Sequence, residues 1–587
     1  MKQFLKQHSF IFLFAFVIGA LIVFPTIFVI SKIGPDFKGV FPMFNNDETH
    51  YIAMTREAYD GHYNFGNVYL KEHKDQPYIT PSLAEIILAF EAKLIDLSIP
   101  ASAAINDFLL PFIGVVALYF LILQLAESGV IASIFSALYY LLFIFYFNRP
   151  INPQFSSIFL FLGLFLVLKI ISDKEKTWKQ LAILNFILAV VSSAVLYIYP
   201  YCWAAILAVY CLVLFFLAIK EKRIVYYFKN FLLFIIPAAL FITPYFLNLK
   251  KAELYPDYID IWFRFGFLLN HYPAAYFNVS LIVAGLAIWY FIGKGADYKK
   301  NIFVYSLVLG GLALNWQNVL TGKALSFSTH YYPIIVLFLF LIFASCASII
   351  WKNYKSNILS AKNYLAVILI LLLLSFLFYR ERKGIEFGPS WFIMPRNISA
   401  VRDWQKLSGV ADWFNDNSPK NSAVYSLGKN YGWFIPIYTY NNVFWNPDVG
   451  RFLLSDDELE NRWIIQNFFK KGIGSGYIEG ENMNIWTNKF IERYQNEVIR
   501  NKILGLFKVK TRSSTLVPKE YVDRILKKID FYRELGFEKS LKQYSADYIL
   551  LDRNNSEYGY LEKEFMNYPF LELAAAVENN LIFKVIK

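Results

Sequence analysis

Apolar residues recur in long, almost charge-free runs from Phe10 to Tyr379, and beyond Tyr379 they shrink to pieces of strand length. Eleven runs stand out, at about Phe10–Ile30, Leu109–Leu125, Val130–Phe147, Ser156–Ile171, Leu181–Tyr199, Trp203–Ile219, Phe231–Leu247, Val279–Ile292, Ile302–Leu320, Ile334–Ile350 and Tyr364–Tyr379. A helix rises about 1.5 Å per residue, so roughly twenty apolar residues match a hydrocarbon core about 30 Å thick. The pattern therefore predicts about eleven transmembrane helices. Lys2 and Lys6 precede the first run, which has neither the short apolar core nor the small-residue cleavage site of a signal peptide. It reads as an uncleaved anchor with its N-terminus in the cytoplasm.

The polar stretches between the runs alternate in charge. One set carries Lys174, Lys176 and Lys179, then Lys220, Lys222 and Arg223, then Lys294, Lys299 and Lys300, then Lys352, Lys355 and Lys362. The other set is aromatic and nearly neutral, with Tyr199-Pro200-Tyr201, a lone Arg149, and Lys323–Pro333 with Lys323 as its single lysine. Cytoplasmic loops of membrane proteins carry the excess of Lys and Arg. The first set is thus expected inside, the turn near Ala126 being its one non-basic member, and an odd number of spans puts everything after Tyr379 outside. The apolar share of 57% and the charged share of only 17% place the chain among multi-pass proteins of the cytoplasmic membrane rather than soluble ones. The net charge of +12 is concentrated in the inner loops, which removes the usual reason to expect a nucleic-acid partner. Cys202 and Cys211 lie roughly 13 Å apart along a helix, beyond disulfide reach, and with Cys346 they suggest neither a disulfide nor a zinc site.

Pro81 to Ala101 is also rich in apolar residues, but Glu85, Glu91, Lys93 and Asp96 interrupt it, while Leu83, Ile86, Ile87, Phe90 and Leu94 recur on one helical face. Each charge near the bilayer centre costs about 2.5–3.5 kcal/mol. An interfacial helix on the outer leaflet is expected instead. Residues 31–108 then form an outer loop within a transmembrane domain spanning 1–379. In residues 380–587, Val424–Leu427, Tyr548–Leu551 and Leu581–Val585 read as buried strands. Asp456–Phe469, capped by Ser455 with Glu458 three residues on, and Tyr521–Leu535 read as helices. The tail is predicted to be an extracytoplasmic α/β domain.

The candidate chemistry lies in Asn45-Asn46-Asp47-Glu48-Thr49-His50-Tyr51, running on to Arg56-Glu57 and Gly61-His62-Tyr63, a polar stretch directly after the first span. A carboxylate at the membrane boundary can take the proton of an acceptor hydroxyl or amine as it attacks a sugar carbon, if cations nearby hold a phosphate leaving group. Capping or solvating a loop is the other reading of Asp47 and Glu48. Arg149 offers a planar donor fork suited to a lipid phosphate, or else an interfacial arginine reaching headgroups. Lys250, Lys251, Arg264 and His271, in an aromatic outer loop, and His330 are candidates to line a lipid-phosphate entrance; ordinary belt and surface roles are the alternative.

The run Asp47-Glu48-x-x-Tyr51, Arg56-Glu57, Gly61, Tyr63, Gln76-Pro77 and Pro81-Ser82-Leu83 resembles the first outer loop of the GT-C glycosyltransferases, the protein O-mannosyltransferases and lipid A aminoarabinose transferases above all. The resemblance implies a polyprenyl-phosphate-linked sugar donor, an acceptor on the outer face (lipid, glycan or protein), Asp47 as general base with Glu48 beside it, and Tyr51 and Arg56 near the substrate. The chain departs from the oligosaccharyltransferase catalytic subunits, which it resembles only loosely. The loop Asn148–Gln154 lacks their second acidic motif, and Asn430-Tyr431-Gly432-Trp433 is at most a remnant of their Trp-Trp-Asp-Tyr-Gly signature. No divalent metal or other cofactor is therefore expected. A transporter or lipid flippase, and a non-catalytic membrane scaffold, are the rival classes. Ion-coupled transporters place ionisable groups near the midplane, whereas here Asn148, Arg149, Asn315, Gln317, Asn318 and His330 gather at the outer ends.

Overall fold

Each of the eleven apolar runs contains a helix among the described residues of the computed structural model. It describes residues 2–586 apart from 45, 145, 148, 173–175, 274, 294–295, 325–329, 355–364, 366, 378, 380–393, 429, 510 and 512–513. In chain order the helices are α1 (Lys2–Ile33), α2 (Asn46–Tyr59), α3 (Leu83–Leu94), α4 (Ile99–Ala126), α5 (Gly129–Leu142), α6 (Ser156–Ser172), α7 (Trp178–Leu196), α8 (Pro200–Lys220), α9 (Ile224–Ala252), α10 (Tyr258–Arg264), α11 (Tyr276–Ile292), α12 (Tyr298–Thr321), α13 (Tyr332–Tyr354) and α14 (Val367–Leu377). Among the described residues, eight helices are long and apolar enough to cross a membrane; α5, α11 and α14 are shorter apolar helices. Helix α5 stops before the end of its apolar run because the chain turns back there. Phe147 stacks on Tyr140, with ring centroids 4.0 Å apart, instead of extending the helix.

The bundle has two unlike ends. At one, Glu127 after α4 accepts from Lys300 of α12 at 2.6 Å and Lys352 of α13 at 3.0 Å, and Lys299 donates to the Ile171 carbonyl at 2.8 Å. Tyr298 donates to Glu221 after α8 at the same end. The basic loops thus meet there, as alternating helices require. Lys174, Lys294, Lys355 and Lys362 lie outside the described residues. The other end carries α2, α3 and α10.

Helix α3 accounts for Leu83–Leu94 only, since Ser98 starts α4 and the last residues of the expected interfacial stretch belong to that long span. Its exposed face carries Ile87, Phe90 and Leu94, while Ala84, Glu85, Leu88, Ala89 and Ala92 pack inward. Glu85 is one of the charges that argued against a crossing, yet it is buried against protein. Burial pushes its carboxyl up to about 8, so it is neutral at pH 7.

The C-terminal part holds a five-stranded sheet of order β4-β3-β5-β7-β6, with β3 (Ala423–Leu427), β4 (Asn442–Val443), β5 (Tyr548–Asp552), β6 (Leu571–Val577) and β7 (Asn580–Val585); β1 (Leu268–Leu269) and β2 (Lys323–Ala324) form a separate short pair. Strand β3 pairs in parallel with β4 and β5, while β7 runs antiparallel to β5 and β6. The three expected strands are β3, β5 and β7. The expected helices appear as Asp456–Gln466, with Ser455 Oγ accepting from Glu458 N at 3.0 Å, and Lys519–Leu535.

The loop after α2 is riveted to this sheet. Val443 N donates to the Tyr69 carbonyl at 3.0 Å, extending the edge beyond β4. Lys71 pairs with Asp547 at 2.9 Å, Arg462 with Glu72 at 3.1 Å, and His73 with Glu458 at 3.0 Å. The loop closes tightly at Gly66, where an added Cβ would lie 2.3 Å from the Lys74 carbonyl oxygen. Only glycine fits that approach.

Candidate active site

The acidic stretch is a helix, α2, where a loop was expected, and Asp47 and Glu48 occupy its first turn. Carboxylates are favoured there because unpaired backbone N–H groups and the helix dipole leave positive charge at an N-terminus. Consecutive helical positions are about 100° apart, so the two acids diverge. Glu48 turns inward, is 6% exposed, and accepts from Phe44 N at 2.8 Å. It lines a small cavity with Thr26, Met43, Ile52 and Asp107. Asp107, buried in α4, accepts from Gln154 at 2.7 Å.

Asp47 points the other way, into a cluster of two guanidiniums. Arg149, at the turn before α6, donates through Nη2 to Asp47 Oδ2. Arg451, at the end of the turn Pro447–Arg451 on the sheet side, donates through Nη2 to Asp47 Oδ1 at 3.3 Å. Arg451 Nε is in turn 2.9 Å from Asp448 Oδ1. The Arg149 guanidinium lies over the Tyr146 ring, 4.9 Å from its centroid, and its buried Nε has no hydrogen-bond partner among the described residues. Burial alone would push the Asp47 carboxyl up, but Arg149 and Arg451 together outweigh it and hold the group below the usual carboxylate range.

Aromatic and imidazole groups surround these charges. His50, one turn on from Asp47, contacts Tyr69 OH through Nδ1 at 3.0 Å and packs among Tyr51, Tyr69 and Phe452. Burial, helped by Arg451, lowers it to about 4, so it is neutral. Burial pushes Tyr51 up to about 12. His330, just before α13, bonds Tyr199 OH and stacks on Tyr201 with centroids 4.3 Å apart and planes within 8°. Burial and the nearby Arg149 lower it to about 4 as well.

Of the residues singled out from the sequence, Asp47, Tyr51, Arg149 and His330 converge here. Others lie elsewhere. Arg56 pairs with Asp60 at 3.0 Å and stacks on Tyr440, at 4.3 Å. Arg264 is 1% exposed, donates to the Leu454 carbonyl and faces Asp456, so it belongs to the packed seam between α10 and the sheet side. Lys250 and Lys251 end α9 exposed, and exposed His271 contacts the Val319 carbonyl at 3.0 Å. Asn148 lies outside the described residues. Arg451 and Asp448 carried no sequence signal beyond a turn-forming Asn446-Pro447-Asp448, and nothing local links them to Asp47. Among the described residues, no three His, Cys, Asp or Glu side chains converge as a metal site would require.

No family model matches the chain, and no curated protein sequence matches it. Solved structures similar to it include the Archaeoglobus fulgidus oligosaccharyltransferase in the apo form, at 10% identity and TM-score 0.48, covering 93% of this chain and 69% of that one. ArnT from Cupriavidus metallidurans bound to undecaprenyl phosphate is similar at 10% identity and TM-score 0.42, over 92% of this chain and 93% of that one. The archaeal oligosaccharyltransferase AglB from Archaeoglobus fulgidus, in complex with an inhibitory peptide and a dolichol-phosphate, is similar at 10% identity and TM-score 0.42, over 94% and 70%.

Proposed function

We propose that this protein is a membrane glycosyltransferase that moves a sugar from a polyprenyl-phosphate donor to a hydroxyl or amine acceptor on the outer face, with Asp47 as general base. The observation that carries the reading is the double clamp on Asp47. Two guanidiniums from distant parts of the chain converge on one carboxylate at the site end of the bundle, and Arg149 Nε has no hydrogen-bond partner among the described residues. Planar guanidinium forks match phosphate as well as carboxylate.

The reaction follows from that competition. The donor phosphate takes the arginine forks, and Asp47, relieved of its two cations, becomes more basic. The acceptor atom forms its bond to the anomeric carbon while its proton passes to an Asp47 oxygen. The bond from that carbon to the phosphate oxygen breaks, and the polyprenyl phosphate leaves with the electron pair, held by Arg149 and Arg451. Incubating membranes with labelled polyprenyl-phosphate sugars tests this reading: label should pass to a new product with the wild-type chain and not with Asp47→Asn. Equal transfer by both would remove Asp47 from the chemistry.

A further inference from the structure

One stretch of the C-terminal part does not behave like a soluble surface. The helix Ile491–Leu506 has no buried residue among those described, and its distal end projects Ile499, Leu506, Phe507 and Val509 at 41, 83, 74 and 48% exposure. Ile499 and Leu506 are seven positions apart, on one helical face. Over residues 498–512 the chain carries Arg500, Lys502, Lys508, Lys510 and Arg512 and no acid at all. Exposed apolar side chains flanked by unopposed cations suit an anionic lipid surface, where the apolar groups enter the interface and the cations meet headgroups.

The fold holds this helix at the membrane boundary by two ties. Just before it, Thr487 Oγ1 and Asn488 N both donate to the Arg264 carbonyl at the end of α10, at 2.8 and 3.1 Å. Further along, the Arg500 guanidinium lies over the Tyr272 ring, 5.4 Å from the centroid, four residues before α11 begins. The helix thus runs from the end of α10 toward the start of α11, beside a rim where Leu269, Tyr272 and Leu320 are themselves exposed. That continuity with bilayer-length helices identifies what covers the face.

We propose that residues 499–509 dock into the anionic phospholipid leaflet at the Asp47 end of the bundle, and so fix the C-terminal part over the site. This inference depends only on the chain crossing a membrane and stands apart from the glycosyltransferase reading. The test uses the full chain, one copy per nanodisc, with the three native cysteines replaced by alanine and an environment-sensitive nitrobenzoxadiazole dye on Phe507→Cys. In discs containing phosphatidylglycerol the emission should shift to the blue and be quenched at least twofold by lipids brominated on their acyl chains. Both signals should weaken in phosphatidylcholine alone, in about 1 M salt, where the screening length is about 3 Å, and in the Arg500→Glu/Lys502→Glu/Lys508→Glu variant. Unchanged melting of that variant shows that the fold survives. Water-like emission in every disc overturns the proposal, as does a blue shift confined to discs carrying two copies, which would make a second chain the occupant.

Discussion

Replacing Asp47 by Asn should separate chemistry from binding and from stability, because the three effects differ in size and in sign. The Asp47 side chain is 34% exposed, and its partners Arg149 and Arg451 are 20% and 34% exposed, so both ion pairs are partly solvated. Such pairs contribute about 0–1 kcal/mol each, and losing both costs about 2 kcal/mol at most. Against an ordinary stability of about 5–15 kcal/mol, even the least stable case leaves about 99% of the chain folded. Removing a general base costs roughly 10²–10⁴ in rate, or about 3–5 kcal/mol of barrier, which unfolding on that scale cannot imitate. Donor affinity should move the other way: with Asn at 47, both guanidiniums lose their competing carboxylate, so undecaprenyl phosphate should bind at least as tightly as to the wild type. Arg149→Ala should instead weaken that binding roughly ten- to a hundredfold, the loss of one charge-assisted hydrogen bond worth about 1.5–3 kcal/mol. Sugar transfer in membranes measures the first effect, and a thermal-shift titration with undecaprenyl phosphate the second. Turnover of Asp47→Asn within tenfold of wild type, or weakened lipid binding by that variant, refutes the clamp reasoning.

Three further outcomes follow from the same geometry. Since Arg149 and Arg451 outweigh burial and depress the Asp47 carboxyl in the free protein, the base stays ionised to lower pH: the acid limb of kcat/KM should fall below the usual carboxylate value of about 3.9, and the limb of kcat should lie higher once phosphate holds the guanidiniums. Transfer should survive EDTA, because positive charge at the phosphate comes from the two arginines; loss of activity restored by magnesium or manganese would contradict this. Cysteine placed at Ser475 should react with an impermeant reagent added outside, and cysteine at Lys222 should not; the reverse labelling would put the site on the wrong face.

The helices were legible in the sequence because a span announces itself by length and lack of charge, without reference to any other part of the chain. The candidate site was half legible for the opposite reason. Asp47 and Tyr51 share one helix, and Arg149 and His330 are polar exceptions at the ends of apolar runs, so each was visible alone. Arg451 and Asp448 sit in a short turn among many polar residues, about four hundred positions from Asp47, and only the packing of the sheet side on α2 brings them together. Lys250, Lys251 and His271 are residue types that a phosphate site uses but stand exposed away from Asp47, which composition could not distinguish. Strand β4 is too short to show a pattern. Strand β6 reads Leu-Glu-Leu-Ala-Ala-Ala-Val, and alanine and glutamate favour helix, so its pairing with β7 overrides local preference. The acid-rich first turn of α2 is itself a helix-start signal, but its place between two apolar runs gives it the composition of an inter-helix loop.

The charges of the cluster bear on why two arginines meet at one carboxylate. Arg149 and Arg451 contribute two positive charges, Asp47 and Asp448 two negative ones, and burial holds His50 and His330 neutral. The free site is balanced, so an arriving phosphate cannot simply add to it; it must displace a carboxylate from a guanidinium. In the proposed transfer the acceptor proton neutralises Asp47 while the phosphate gains the electron pair of the breaking bond, so one negative charge migrates from the carboxylate to the leaving oxygen. The two guanidiniums are already placed along that path, and their grip tightens on the phosphate as it loosens on Asp47. Interactions that strengthen as charge moves lower the barrier rather than merely binding the donor. Arg451 extends this logic to the architecture: because it comes from the sheet side, a chain whose C-terminal part is not seated on α2 has only one of the two cations, and its site is incomplete until that seating occurs.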